Sequence, residues 1–124
     1  MDRAAATAWL TRYVQAWESY DADAIGDLFA EDVEYRYHPA DAPLVGRDEV
    51  VASWMADPDA AGTFEAEYAP FAIEGPRVVA TGWSRYYTDA DRAEVRAVYD
   101  NCFAMEFDAA GRCRQFTEWF RERG

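Results

Sequence analysis

Four side chains in this sequence have the chemistry to move a proton or hold a polar ligand: Glu118, Asn101, His38 and Tyr13. Glu118 alternates with Phe116 and Phe120. Asn101 alternates with Tyr99, Phe103, Met105 and Phe107. A carboxylate and an amide at positions where apolar residues are expected cost free energy unless they are paired or used. Burial disfavours the charged form of a carboxylate, which would make Glu118 a usable general acid or base. Structural roles compete with each of these readings. Glu118 would pair with Arg85 or Tyr13, Asn101 would tie two strands together, His38 would be surface decoration before Pro39, and Tyr13 would pack in a core.

These residues are positioned by a hairpin that spans residues 94–120. In its first arm Val95, Tyr99, Asn101, Phe103, Met105 and Phe107 fall on one face, and Arg96, Asp100, Cys102, Ala104 and Glu106 on the other. Such a period of two marks a strand with one face on a core. Asp108-Ala109-Ala110-Gly111 supplies turn chemistry. The second arm puts Phe116, Glu118 and Phe120 inward and Gln115, Thr117 and Trp119 outward.

Upstream, residues 4–20 read as a helix, with Trp9, Tyr13, Trp17 and Tyr20 at three- and four-residue spacing. That aromatic stripe reads as a core face; Tyr13 and Trp17 can also line a cavity that the helix covers, and both roles can hold at once. Asp21-Ala22-Asp23 breaks this helix and offers a cap for a short second one carrying Ile25, Leu28 and Phe29. A strand over 33–38 faces Val33, Tyr35 and Tyr37 one way, and Pro39 ends it. A third helix over 47–56 carries Val50, Val51, Trp54 and Met55. Strands over 63–68 and 78–87 follow, the first with Pro70 marking an edge or a bulge. The 78–87 strand has two possible parities. Trp83 inward with Val79, Thr81 and Arg85 is preferred, because the face of Val78, Ala80, Gly82 and Ser84 is nearly featureless. Helices first and antiparallel strands after make an α+β fold. Three helices packed on a strongly curved, mainly antiparallel sheet would form a cone with a central pocket.

The 124 residues are expected to form a single domain over 1–124, with 51% hydrophobic and 16% aromatic residues for its core. A formal net charge of -12 argues against a nucleic-acid partner and against docking on anionic membranes. No apolar run approaches spanning length and MDRAAATAWL has no signal-peptide core, so a cytoplasmic location is the expectation. Two cysteines, Cys102 and Cys113, are too few for a disulfide framework and read as reduced thiols. With one histidine beside them, no metal-ligand set is visible, and no cofactor is expected.

The chain resembles the nuclear-transport-factor-2-like superfamily, the cone fold shared with ketosteroid isomerase and the SnoaL-like polyketide cyclases. The residues that carry the resemblance are Arg12-Tyr13-Val14, the run from Asp27 through Phe29 to Val33, Gly46-Arg47-Asp48-Glu49-Val50, and Phe107 through Gly111 to Arg112. The resemblance implies the fold more specifically than a function. Tyr13 falls where ketosteroid isomerase uses a first-helix tyrosine. Tyr37 or His38 falls where that family has its aspartate base, and Phe103 where it has a second, protonated aspartate. Without those two acids its chemistry, a carboxylate base beside a neutral acid, is not supported. The arginine-flanked aspartate pair of the limonene-epoxide-hydrolase type is not evident either.

Three functions remain open at this level: a binding protein for a small hydrophobic molecule, an acid/base enzyme of isomerase, cyclase or hydrolase type, and an assembly domain with a vestigial pocket. The enzyme would use Glu118 or His38 with Tyr13. Trp17, Tyr37, Trp54, Trp83, Tyr99, Asn101 and Phe103 would line the site. An isolated carboxylate in an open pocket favours chemistry. A salt-bridged Glu118 among aromatics favours binding, and a filled interior favours assembly. Trp119, Cys102 and Ala104 on the outer sheet face suggest a homodimer through the sheet.

Overall fold

In the computed structural model, which describes all 124 residues, the chain begins with an aspartate cap. Asp2 accepts from the Ala5 amide at 2.8 Å and opens α1 (Arg3–Ser19). Tyr20 closes that helix in the left-handed region, φ 48°. Asp21 then caps α2 (Ala22–Asp27) by accepting from the Asp23 and Ala24 amides, as its position in the sequence suggests. β1 (Phe29–Arg36) starts four residues earlier than the alternation alone indicates, and it pairs with a two-residue strand β2 (Leu44–Val45) that sequence reading passes over. After α3 (Arg47–Ala56) come β3 (Phe64–Glu74), β4 (Arg77–Tyr87), β5 (Val95–Phe107) and β6 (Cys113–Glu122).

The last four strands form the expected meander, and the sheet order is β2-β1-β6-β5-β4-β3. Only β1 and β6 run parallel, so the sheet is mixed. It is curved and stays open at both edges, with β3 at one of them. Pro70 lies on that edge strand beside a register shift, where a missing amide donor leaves no ladder bond unmade. The hairpin turn is an Asx turn. Asp108 Oδ1 accepts from the Ala110 and Arg112 amides, and Gly111 takes φ 82°.

The core lies between α1 and the concave face. Trp9, Phe29, Tyr35, Phe103 and Phe116 are all but fully buried there. Their rings make edge-to-face and stacked pairs, among them Tyr35 on Phe116 at 4.6 Å and Trp9 on Phe107 at 5.2 Å. In β5 the inward face is as read from the alternation: Asn101, Phe103, Met105 and Phe107 are buried. In β4 it is the opposite of the preferred reading. Val78, Ala80 and Ser84 are buried, whereas Trp83 turns to the outer face, where the Arg85 guanidinium lies over its ring. The physical reason is space. Small residues on β4 make room for the large rings of Tyr68 and Phe103, which pack 4.6 Å apart. A Cβ on Gly82 would meet the Glu67 carbonyl oxygen at 2.0 Å and the Tyr68 ring at 2.7 Å. No helix is long and apolar enough to cross a membrane.

Candidate functional site

Toward the other end of the helix the concave face is not filled. A cavity of about 210 Å³ opens between α1, α3 and the sheet. Its floor carries a chain of three polar side chains from three adjacent strands. Ser84 on β4 donates through Oγ to Asn101 Oδ1 at 3.0 Å, and Asn101 on β5 donates through Nδ2 to Glu118 Oε2 on β6 at 2.7 Å. The register makes this possible. Gly82 faces Asn101 and Phe103 faces Glu118, so the amide reaches diagonally to each neighbour. The ionised carboxylate can only accept, which fixes the amide with its NH2 toward Glu118 and its carbonyl toward the Ser84 hydroxyl.

Glu118 has no cation. The expected partner Arg85 bonds Glu65 instead, at 2.9 Å. The two carboxylates show what environment does to one functional group. Glu65 receives hydrogen bonds from Tyr87, Arg85 and Arg92, which hold its pKa below the ordinary value. Glu118 is enclosed by the cavity wall, and desolvation pushes it up to about 7 against the opposing hydrogen bond from Asn101. Its charge is felt around the cavity. After burial, which is the larger cause, Glu118 contributes to raising the phenols of Tyr13, Tyr35, Tyr37, Tyr68 and Tyr86. Those hydroxyls are therefore held protonated and keep a proton to donate toward Glu118.

The mouth is tied down by a second cluster. Trp17 Nε1 donates to Asp59 Oδ2 at 3.0 Å, the Tyr20 hydroxyl donates to the same oxygen at 3.2 Å, and the Asp59 amide donates back to Tyr20 at 2.8 Å. The left-handed backbone at Tyr20 turns its ring toward the loop after α3. On the opposite lip the Tyr37 hydroxyl meets Ser53 at 2.8 Å.

Of the residues singled out from the sequence, Tyr13, Trp17, Tyr37, Trp54, Asn101 and Glu118 come together around the cavity. Phe103 lies beneath the floor, buried against Tyr13, Tyr68 and Phe116. Tyr99 stands with Phe120 in an adjoining depression that shares Ser84, Asn101 and Glu118 with the cavity. Trp83 is on the other face of the sheet. His38 is outside the lining as well. Pro39 turns the chain there, and the exposed imidazole accepts through Nδ1 from the Ala40 amide at 3.2 Å. Eight residues of the lining were not singled out from the sequence: Tyr20, Tyr35, Ser53, Asp57, Asp59, Tyr68, Ser84 and Tyr86. Ser84 and Tyr86 lie on the β4 face that bulk disfavoured, and Asp59 sits in a loop with no periodic signal.

A family profile described as SnoaL-like domain matches residues 10–116. The chain belongs to the SnoaL-like domain family. Two solved structures share the fold. One is an NTF-2 like protein of unknown function from Burkholderia xenovorans LB400, with TM-score 0.72 and 19% identity over 98% of this chain and 86% of that one. The other is an LEH-like epoxide hydrolase from M. tuberculosis, with TM-score 0.68 and 15% identity over 96% and 84%. At these identities the likeness shows the architecture alone. No curated protein matches the sequence. The family therefore accounts for the cone and its aromatic interior, which is compatible with a pocket for small molecules, and leaves the ligand to the side chains described above.

Proposed function

We propose that the cavity binds a small organic molecule with an aromatic or otherwise apolar body, held against Glu118. The observation that carries this reading is the coincidence of unfilled space with a half-buried carboxylate that has no counter-charge and a wall of tyrosines and tryptophans. The cavity, about 210 Å³, falls short of the roughly 300–1,000 Å³ of drug-sized pockets, so the ligand is small.

A second reading is acid/base catalysis of isomerase, cyclase or hydrolase type without a cofactor, and one observation favours it. Glu118 is isolated and titrates near neutrality, where a group both gives and takes protons readily. In that reading Glu118 exchanges the proton and Tyr13 donates a hydrogen bond. Ketosteroid isomerisation is not proposed, because Phe103 and Tyr37 stand where that chemistry needs carboxyl groups. An unfilled interior is poor support for a vestigial pocket.

The same reading includes a cytoplasmic homodimer joined through the outer face of the sheet. Support comes from Trp119, 46% exposed and paired across the strands with Cys102. Light scattering at micromolar concentration would give twice the chain mass; a monomer would contradict the dimer.

The site is tested by screening a small-molecule fragment set against wild type and Glu118→Gln, with thermal unfolding of both. The expected result is a folded variant with altered ligand binding. In a carbon-acid assay the same variant would lose deuterium exchange into ketone substrates if Glu118 is the base. Unchanged binding with a large loss of stability would retire the reading.

A further inference from the structure

Eight of the fourteen residues around the cavity are Tyr or Trp, and no aliphatic side chain is among them. The remaining six are two serines, Asn101 and three acids, Asp57, Asp59 and Glu118. No Lys, Arg or His lines it. A site built for a plain hydrocarbon would be lined by Leu, Ile, Val and Phe. A site for an anion would offer a basic group. Here the walls present aromatic rings, whose faces carry negative partial charge, around a carboxylate that bonds only a neutral amide.

From this lining we infer that the ligand is a small organic cation: a protonated or quaternary amine on a compact apolar body, with its charge set among the rings beside Glu118. The inference rests on the small-molecule reading above and names the chemical class. Aromatic faces attract ammonium groups within about 6 Å of the ring centroid, and more strongly where water is excluded. One ring of the wall already does this. The Arg96 guanidinium lies over Tyr86, 5.1 Å from its centroid, in the depression that adjoins the cavity. That depression shares Asp59, Ser84, Tyr86, Asn101 and Glu118 with the cavity, and Arg96 is exposed at its rim, stacked on Tyr86 and making no ion pair with Glu118. Asp59 adds a carboxylate at the lip, held by Trp17 and Tyr20, and the chain as a whole carries -12. Both favour the approach of a cation over an anion.

A pH dependence follows. The groups that face Glu118 are the phenols of Tyr13, Tyr35, Tyr37, Tyr68 and Tyr86 and the Asn101 amide, with Asp57 and Asp59 across the mouth and Arg96 at the rim. The phenols keep their protons through the neutral range. Glu118 is therefore the group in the cavity whose charge changes near pH 7. A bound cation favours its ionised form, so binding releases a proton below that pH and strengthens as pH rises.

Three soluble probes of near-equal size test this: benzylammonium, benzyl alcohol and benzoate. The indole N–H signals of Trp17 and Trp54, both in the cavity wall, report binding by NMR in wild type and in Glu118→Gln. The expected result is an affinity for benzylammonium about tenfold above that for benzyl alcohol, rising between about pH 6 and pH 8. Glu118→Gln should lose about that factor for the cation and leave the alcohol within about twofold, which also shows that the variant is folded. Equal affinity for cation and alcohol, or preference for benzoate, overturns the cation assignment while the small-molecule reading stands. No movement of either indole signal by any probe overturns both.

Discussion

The two ends of this cone are made by the same four elements and differ in what each element contributes. At the closed end α1 supplies Trp9, β1 Phe29, β5 Phe107 and β6 Cys113, all 3% exposed or less. At the open end the same elements supply Tyr13 and Trp17, Tyr35, Asn101 and Glu118. One end is packed for stability, with a single buried indole N–H bonded to the Leu28 carbonyl at 2.9 Å. The other keeps a polar head on nearly every side chain and leaves a void between them. The site is therefore not an insertion into the fold. It is the continuation of the core after apolar residues give way to hydroxyls, an amide and a carboxylate.

If the closed end carries the stability, the largest loss belongs there. Trp9→Ala should cost about 3–5 kcal/mol in urea unfolding, the range for deleting a large buried aromatic. A loss under about 1 kcal/mol would show that the two ends are not energetically distinct. Gly82→Ala should come next, at about 1–3 kcal/mol, because its Cβ meets backbone that cannot move aside.

The open end should behave in the opposite sense at Glu118. Its folded-state pKa is raised from the ordinary 4.5 to about 7, so the folded protein holds the proton more tightly than the unfolded chain. That contribution is present at acid pH and is lost as pH rises from 4.5 through about 7. At about 1.4 kcal/mol per unit the ceiling is about 3 kcal/mol, and water reaching the half-open site reduces the expectation to about 1–2 kcal/mol. Glu118→Gln keeps an acceptor for Asn101 and should therefore be more stable than wild type by about that amount near pH 8, and nearly equal to it near pH 4. Thermal unfolding at the two pH values checks this, and a variant destabilised at both would make Glu118 structural. The smallest effect is expected at the lip, where Tyr37→Phe removes one exposed hydroxyl bond to Ser53 and should change unfolding by about 0.5 kcal/mol or less.

Much of this contrast is legible in the sequence. The alternation around Asn101 and Glu118 puts both on the concave face, and the stripe from Trp9 to Tyr20 does serve as core at one end and cavity wall at the other. The SnoaL-like resemblance holds across most of the chain. The parity of β4 was not legible by bulk, because the rule that large residues face in fails beside a void. There the small residues face in and the large one, Trp83, faces out. Asp59 reaches the mouth through the left-handed backbone at Tyr20 and the loop after α3, and neither leaves a periodic trace. The Glu118–Arg85 pair fails for a related reason. The two lie on opposite faces of the sheet, and Arg85 finds Glu65 on its own side.

Glu118 is a carboxylate without a counter-charge, and desolvation in the cavity raises its pKa. The most direct measurement is a pH titration of its side-chain carboxyl carbon by NMR, with Glu65 as the internal reference. The expected midpoint is near 7 for Glu118 and below the ordinary carboxylate value for Glu65. A Glu118 midpoint at or below the ordinary 4.5 would contradict it.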